Sequence, residues 1–289
     1  MSSKQAAVNR ILTFSCVDGP GNRLVIFFQG CNFQCQACHN PYTMSLCNHC
    51  GECIKVCPEA ALSLGEDGKV QWHQELCSEC DKCLDVCPES ASPMTSSYSV
   101  ADLIKTIQEN QPFISGITLS GGEPTVQLPF ILEFLTRLRA DPELHQLNVL
   151  LDTNGTLGAD GWNRLLPYID GVMLDLKAWH ADRHECLTGE GNSKVKNSIQ
   201  LLAAANKLSE VRLLVIPNQT DYQQHLEILC QTLRALPGET TIRINAFHHH
   251  GVKGTAKTWS NATQDEVESF AQQLQTGGIN NLVLPAVYL

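Results

Sequence analysis

The sequence predicts an α/β protein: an incomplete TIM barrel of the (β/α)6 type over residues 1–43 and 94–289, interrupted by a small inserted domain over residues 44–93. Three observations predict it. From about residue 99, short apolar runs alternate with helix-period segments of about 10–15 residues, the pattern of parallel strands joined by crossover helices. At least six such units follow one another, which favours a full or partial barrel over an open sheet. Twelve of the fourteen cysteines fall in the first 87 residues, and eight of them fill the stretch before the alternation begins.

The elements follow in order. Residues 24–29 (LVIFFQ) form an apolar, β-rich run read as a buried strand, with Gly30 and Cys31 at its end. Within the insert, the segment LGEDGKV carries Asp67-Gly68 as a hairpin-like turn. The two cysteine groups around it form one internal repeat of about 30 residues. Pro93 and the serines near 96–99 read as the exit linker. Residues 99–109 are helical with Ser99 as N-cap, and 116–120 form a strand. The alternation continues through a helix at 129–139, a strand at 147–152, a helix at 161–168 and a strand at 171–176. It ends with a helix at 193–207, a strand at 211–216, a helix at 221–236, a strand at 241–246, a helix at 264–276 and a short strand at 282–284.

Composition narrows the function classes. A hydrophobic share of 43% against 17% charged residues is that of an ordinary globular chain with a sizeable core. The net charge of −10 argues against nucleic acid or an anionic membrane as partner, because both need a basic surface. No run of about 18 apolar residues is present to span a membrane. The first residues, MSSKQAAVNRILTF, carry no secretory signal pattern, so the expected compartment is the cytoplasm. Thiols stay reduced there, which favours metal ligation over disulfides for dense cysteines.

The cysteine spacings carry the chemistry. Cys47, Cys50, Cys53 and Cys57, and again Cys77, Cys80, Cys83 and Cys87, read C-x2-C-x2-C-x3-C-P, the bacterial ferredoxin run. In two-cluster ferredoxins the fourth cysteine of each run serves the other cluster. One [4Fe–4S] cluster is therefore expected on Cys47, Cys50, Cys53 and Cys87, and a second on Cys77, Cys80, Cys83 and Cys57. Zinc held by four thiolates is the rival reading, and a disulfide framework a weaker one. Cys31, Cys35 and Cys38 stand apart as C-x3-C-x2-C after the first predicted strand. Three thiolates serve three irons of a cubane and leave the fourth open to a small molecule, as catalytic metal sites keep a position free.

That triplet resembles the signature of the radical S-adenosylmethionine (SAM) enzymes, and Ser120-Gly121-Gly122-Glu123-Pro124 resembles their GGE motif. Read without the triplet, the two glycines would mark only a tight strand-to-helix turn. The match narrows with Val17-Asp18-Gly19-Pro20-Gly21, Phe27-Phe28-Gln29-Gly30-Cys31, Cys38-His39-Asn40, Asp152-Thr153-Asn154-Gly155 and Met173-Leu174-Asp175-Leu176-Lys177. With these the chain resembles the glycyl-radical-enzyme activating enzymes, pyruvate formate-lyase activase above all, in the subgroup with a two-cluster insert. The resemblance runs from about Ile11 to the C-terminus. It implies that Cys31, Cys35 and Cys38 hold the SAM-binding cluster, and that Ala37, Cys38 and His39 line the adenine. It implies that Gly122 meets the SAM amino group, and that Asp175, Leu176, Lys177, Arg212 and His248 complete the pocket. Asp152, Thr153, Met173 and Asp175 match positions that hold a monovalent cation in the type enzyme.

The resemblance further implies three [4Fe–4S] clusters, SAM as co-substrate, a glycyl radical enzyme as protein partner and a flavodoxin- or ferredoxin-type electron donor. The free protein is expected to be monomeric. Two features depart from the family. Ala37 stands where an aromatic residue often precedes the third cysteine, and His248 opens a run of three histidines that could instead form a solvated turn. Asp18 either contacts the partner's peptide or fixes its own turn. Cys16, Cys186 and Cys230 read as small buried residues or spare thiols. Two other functions stay open at this point: a radical SAM enzyme acting on another substrate, and an iron–sulfur electron carrier.

Overall fold

The computed structural model describes residues 4–285 and comprises two compact units, Met1–Asn32 with Asn40–Val149, and Phe33–His39 with Leu150–Leu289. The few terminal residues of the expected barrel, 1–3 and 286–289, lie outside the described residues. In the first unit, β1 (Gln5–Ser15) pairs antiparallel with β2 (Arg23–Phe28), setting Ile11 against Ile26. β2 is apolar from Leu24 onward and almost wholly buried, as the sequence predicts for a buried strand. Between Cys57 and Cys87 lie a hairpin of β3 (Leu62–Leu64) and β4 (Val70–Trp72), with Asp67-Gly68 in its turn, and a short helix, α1 (Lys82–Asp85).

The expected exit linker is in part a strand. β5 (Ser96–Ser99) pairs antiparallel with β1, Ala6 facing Tyr98, because β1 offers an edge whose backbone groups need partners. Ser99 then caps α2 (Val100–Asn110) in a full capping box with Asp102. β6 (Gly116–Gly121) runs parallel to β2, and α3 (Leu128–Ala140) buries Phe130, Ile131, Phe134, Leu135 and Leu138.

The second unit is an all-parallel succession. β7 (Asn148–Thr153) is followed by α4 (Ala159–Leu165), β8 (Gly171–Leu176), α5 (Ala181–Thr188) and α6 (Ser193–Ala204). Then come β9 (Leu208–Val215), α7 (Leu226–Arg234), β10 (Thr241–Ala246), α8 (Gln264–Thr276) and β11 (Leu282–Val283). Strand neighbours run β7-β8-β9-β10-β11. The helix expected from residue 221 starts at Leu226. Both oxygens of Asp221 accept main-chain N–H groups, from Trp179 (2.7 Å) and His180 (2.8 Å), and this holds the chain in a turn. Among the described residues no helix is long and apolar enough to cross a membrane.

Candidate active site

In the second unit the loop 33–39 is strapped to the C-terminal end of α5. Gln34 N donates to Thr188 O (2.7 Å), Gln36 N to Leu187 O (2.9 Å) and Gln36 Nε2 to Cys186 O (2.7 Å). The last carbonyls of a helix lack intrahelical partners, and here the cysteine-bearing loop satisfies three of them. Phe33 is fully buried with its ring edge-on to His184. Cys35 and Cys38 are thus presented from a fixed loop, and Ala37 packs on the apolar floor of Ala178, Leu187 and Phe247.

A row of charges crosses the strands of this unit. Register sets Asp152 beside Met173, Met173 beside Glu210, Asp175 beside Arg212 and Arg212 beside Arg243. Arg212 donates to Asp152 (Nη1–Oδ1, 2.7 Å), to Glu210 (Nε–Oε1, 2.6 Å) and to the Met173 sulfur (3.2 Å). The other oxygen of Glu210 takes Arg243 Nε at 2.9 Å. Lys177 Nζ meets Asp175 Oδ2 at 2.7 Å. Three carboxylates and three cations balance, which lets these charges stand in a partly buried face. Burial works against the Lys177 ammonium, but Asp175 and the Cys35 and Cys38 thiols outweigh it and hold its pKa above the usual range. Burial likewise opposes ionisation of Asp175, and Lys177 and Arg212 reverse the effect and keep its pKa low. Burial also opposes the charge on Arg212, and Asp152, Asp175 and Glu210 overcome it.

His39 and His248 stack with ring centroids 4.3 Å apart, and the Phe247 ring lies 6.2 Å from His39. Burial first, then His248 and Lys177, push the His39 pKa down to about 4, and burial lowers that of His248. Both rings are therefore neutral near pH 7. Among the described residues, His39 Nε2 and His248 Nδ1 are buried without a hydrogen-bond partner. Buried polar atoms are normally satisfied, so this pair fits a polar ligand. His249 and His250 are exposed, which singles out His248 from the run of three. Gly251 makes the stack possible: its φ is +76° and a Cβ there would run into the carbonyl of His39.

The other predicted pocket residues serve local structure as well. The Leu176 carbonyl accepts Tyr222 Oη, and Thr153 Oγ1 accepts Gly155 N (3.1 Å). Sequence reasoning missed Glu210 and Arg243. Their signal was present, since charged residues at alternate positions of otherwise apolar strands need a shared partner.

In the first unit, Gly122 and Glu123 are sewn to the end of β2: Gly122 N donates to Phe28 O (3.0 Å) and Glu123 N to Gly30 O (2.9 Å). A Cβ on Gly122 would strike the carbonyls of Gly30 and Thr43, so close backbone approach explains this glycine. Buried Glu123 caps the following turn through Thr125. Cys31 N donates to Met44 O at 2.8 Å. Asp18 fixes its own loop: its carboxylate accepts Ser15 Oγ and its carbonyl accepts Thr118 Oγ1. Cys230 is buried, whereas Cys16 and Cys186 are exposed rather than packed.

The cysteine insert repeats itself in backbone detail. Left-handed residues recur at an offset of thirty: His49 and Glu79, Gly51 and Asp81, Ala60 and Ser90. Such turns gather N–H groups around a negative charge. The fourth cysteine of each run receives an equivalent bond, Ala61 N to Cys57 Sγ (3.2 Å) and Ala91 N to Cys87 Sγ (3.4 Å), and His49 N adds one to Cys47 Sγ (3.3 Å). Burial raises the Cys47 pKa, and the thiols of Cys87 and Cys50 beside it add to the shift. Burial, then Cys47, raises that of Cys53. Cys57, Cys77, Cys80 and Cys83 line a separate small cavity with Trp72 and Met94. Among the described residues no three metal-binding side chains close on a point that one ion could occupy; a cubane, with its thiolates on separate irons, asks for a wider spread.

Residues 17–196 match the family model described as a 4Fe-4S single cluster domain. The isethionate sulfite-lyase activating enzyme of Desulfovibrio desulfuricans is 28% identical over 271 residues, covering 86% of this chain and 85% of that protein. The trans-4-hydroxy-L-proline dehydratase activating enzyme of Clostridioides difficile is 31% identical over 226 residues, covering 73% of this chain and 74% of that protein. Among solved structures, QueE from Escherichia coli aligns with a TM-score of 0.51 at 15% identity, over 97% of this chain and 94% of that one.

Proposed function

The chain belongs to the glycyl-radical-enzyme activating enzymes of the radical SAM superfamily, and on that premise we propose that it installs a glycyl radical in a partner enzyme by reductive cleavage of SAM at a [4Fe–4S] cluster held by Cys31, Cys35 and Cys38. The observation that carries the assignment of the site is the Lys177 ammonium, held up in part by the Cys35 and Cys38 thiols and fixed to Asp175 beside Arg212. When bound, the reduced cluster and SAM supply methionine and a 5′-deoxyadenosyl radical, which takes one Cα hydrogen from a glycine and leaves 5′-deoxyadenosine.

The chain's own residues bind and orient. The three thiolates would hold the cluster with one position left open for SAM, and Gly122 would offer backbone to the SAM amino group. Asp175, Leu176, Lys177 and Arg212 form a charged wall for the zwitterionic end. Ala37, Cys38, His39 and His248 face the adenine, the neutral histidines supplying the nitrogens that lack protein partners. A monovalent cation at Asp152, Thr153, Met173 and Asp175 would draw oxygen ligands from the ends of two adjacent strands. The protein supplies positioning and shelter, and the cofactors the radical chemistry.

Two more clusters on Cys47, Cys50, Cys53 and Cys87, and on Cys57, Cys77, Cys80 and Cys83, would receive electrons from a flavodoxin- or ferredoxin-type donor. The repeated N–H to sulfur bonds and the two groupings of thiols support this count. We read the whole as a partial barrel with a ferredoxin-type insert over residues 44–93, cytoplasmic, and monomeric when free.

The test is anaerobic. The reconstituted protein, given SAM and a strong reductant, should form 5′-deoxyadenosine and produce a glycyl doublet by EPR on one candidate partner. Deoxyadenosine with no radical on any glycyl radical enzyme offered would overturn the substrate class; neither signal, with clusters intact, would overturn SAM chemistry as well.

A further inference from the structure

We infer that Gln29 is a positioning residue that clamps the cysteine insert to the strand end carrying Cys31, so that the Cys47, Cys50, Cys53 and Cys87 set stands next to Cys31 and the Cys57, Cys77, Cys80 and Cys83 set stands outside it. The inference rests on the cluster assignment proposed above and adds the order of the two sets.

Gln29 directly follows β2, before Gly30-Cys31, and is only 1% exposed. A buried amide needs partners for its polar atoms. Its Nε2 donates to Tyr42 O (2.8 Å) and Ser45 O (2.6 Å), the carbonyls of the segment leading into the insert. On the segment leading out, Thr95 Oγ1 donates to Gln29 Oε1 at 3.5 Å. The backbone continues the seam, Gly30 N to Thr43 O and Cys31 N to Met44 O, both at 2.8 Å. Gln127 Nε2 in turn holds the carbonyl of Gln29 at 2.9 Å.

Ser45 then bridges to Ala91. Cys47 lies two residues beyond Ser45 and Cys87 four before Ala91, so both ends of one set are anchored at the clamp. Of the other set, Cys77 meets the outgoing segment through a side chain, its Sγ 3.9 Å from the Sδ of Met94, the residue before Thr95. The clamp therefore orders the sets by backbone proximity: Cys47 and Cys87 lie two and four residues from the Ser45–Ala91 bridge, whereas Cys57, Cys77 and Cys80 lie more than ten residues from it along the chain.

The test uses the full chain, reconstituted anaerobically, with iron content measured beside low-temperature EPR. The readout is the relaxation enhancement that neighbouring reduced centres impose on the signal that changes when SAM is added. In Cys80→Ala this enhancement should persist, and in Cys50→Ala it should be lost. The reverse pattern, or equal effects, would overturn the order. Because removing one ligand can cost both insert centres, Gln29→Leu is the second variant. With full iron retained, it should weaken the enhancement, and an unchanged enhancement would overturn the clamp. Wild-type iron equal to a single cluster would overturn the cluster assignment itself, and that result is distinguishable from the others.

Discussion

Arg212 reaches from β9 past the sulfur of Met173 on β8 to hold Asp152 on β7, Nη1 to Oδ1 at 2.7 Å. Its Nε is committed to Glu210, which also binds Arg243. One guanidinium thereby fixes acids on two strands, a task for which a planar fork suits and a lysine does not. Replacing Arg212 with Ala removes a cationic partner from Asp152 and Glu210 in a partly buried face. We expect a loss of about 3–5 kcal/mol in unfolding free energy, read from denaturant midpoints. SAM cleavage should fall on the order of a hundredfold, because the wall facing the substrate is no longer fixed. Arg212→Lys should recover part of the stability and little of the activity. A variant as stable as wild type would show that the network contributes nothing to the fold.

The His39 ring should make stability depend on pH on the acid side of neutrality. Its folded pKa is lowered from 6.5 to about 4, by burial first and by His248 and Lys177 next. Between those values the unfolded chain binds a proton that the folded chain refuses, so stability rises with pH through the window. The contribution is complete above 6.5 and is lost as pH falls toward 4. His248 and His184, both lowered chiefly by burial, act with the same sign. Denaturation midpoints at pH 7, 6 and 5 should fall in wild type and fall less steeply in His39→Gln. Equal slopes in the two proteins would remove burial of His39 as the cause.

The sequence was legible where an element's reason is local. β8, β10 and α8 occupy the predicted residues because apolar runs with clear punctuation at their ends define them. Ser99 is an N-cap because Asp102 follows at the right spacing. The cysteine repeat was visible as a thirty-residue period, and left-handed backbone positions recur at the same offset. Elements whose reason is distant were missed. β1 mixes polar and apolar residues and is only partly buried; its strand character comes from lying between β2 and β5. β5 reads SSYS, with no apolar pattern of its own. α5 is polar, and its place is set by the cysteine loop that caps its carbonyls. The site divides the same way. Motif cysteines and Asp175 with Lys177 could be read in order, whereas Glu210 joins Arg212 to Arg243 only through cross-strand register, and Gln29 finds its partners thirteen to sixteen residues on.

Gly251 should tolerate no side chain. Its positive φ costs any other residue strain, and a Cβ would collide with the His39 carbonyl. Gly251→Ala is expected to lose about 1–3 kcal/mol in a denaturant titration. Because His39 stacks on His248, the same change should weaken SAM binding, measured by equilibrium dialysis under anaerobic conditions. Lower stability with unchanged SAM affinity would separate the glycine from the ligand pocket and leave it a purely structural role.

Cys35→Ala distinguishes the two kinds of cysteine in this chain. Cys35 sits on the loop held by α5, and its thiolate is one of the charges that sustain the Lys177 ammonium. The insert cysteines belong to a separate part of the chain with its own turns and its own N–H to sulfur bonds. Loss of Cys35 should therefore remove one cluster's worth of iron, the EPR signal that responds to SAM, and all formation of 5′-deoxyadenosine. The iron and the EPR signals of the insert should remain. The variant should stay close to wild type in stability before reconstitution, since replacing a partly exposed thiol by a methyl group removes little packing. Persistent deoxyadenosine formation would place SAM cleavage at other cysteines and overturn the site. Loss of every cluster together would instead mean that the insert cannot assemble its centres without the Cys31, Cys35 and Cys38 cluster in place, and that the two parts load as one.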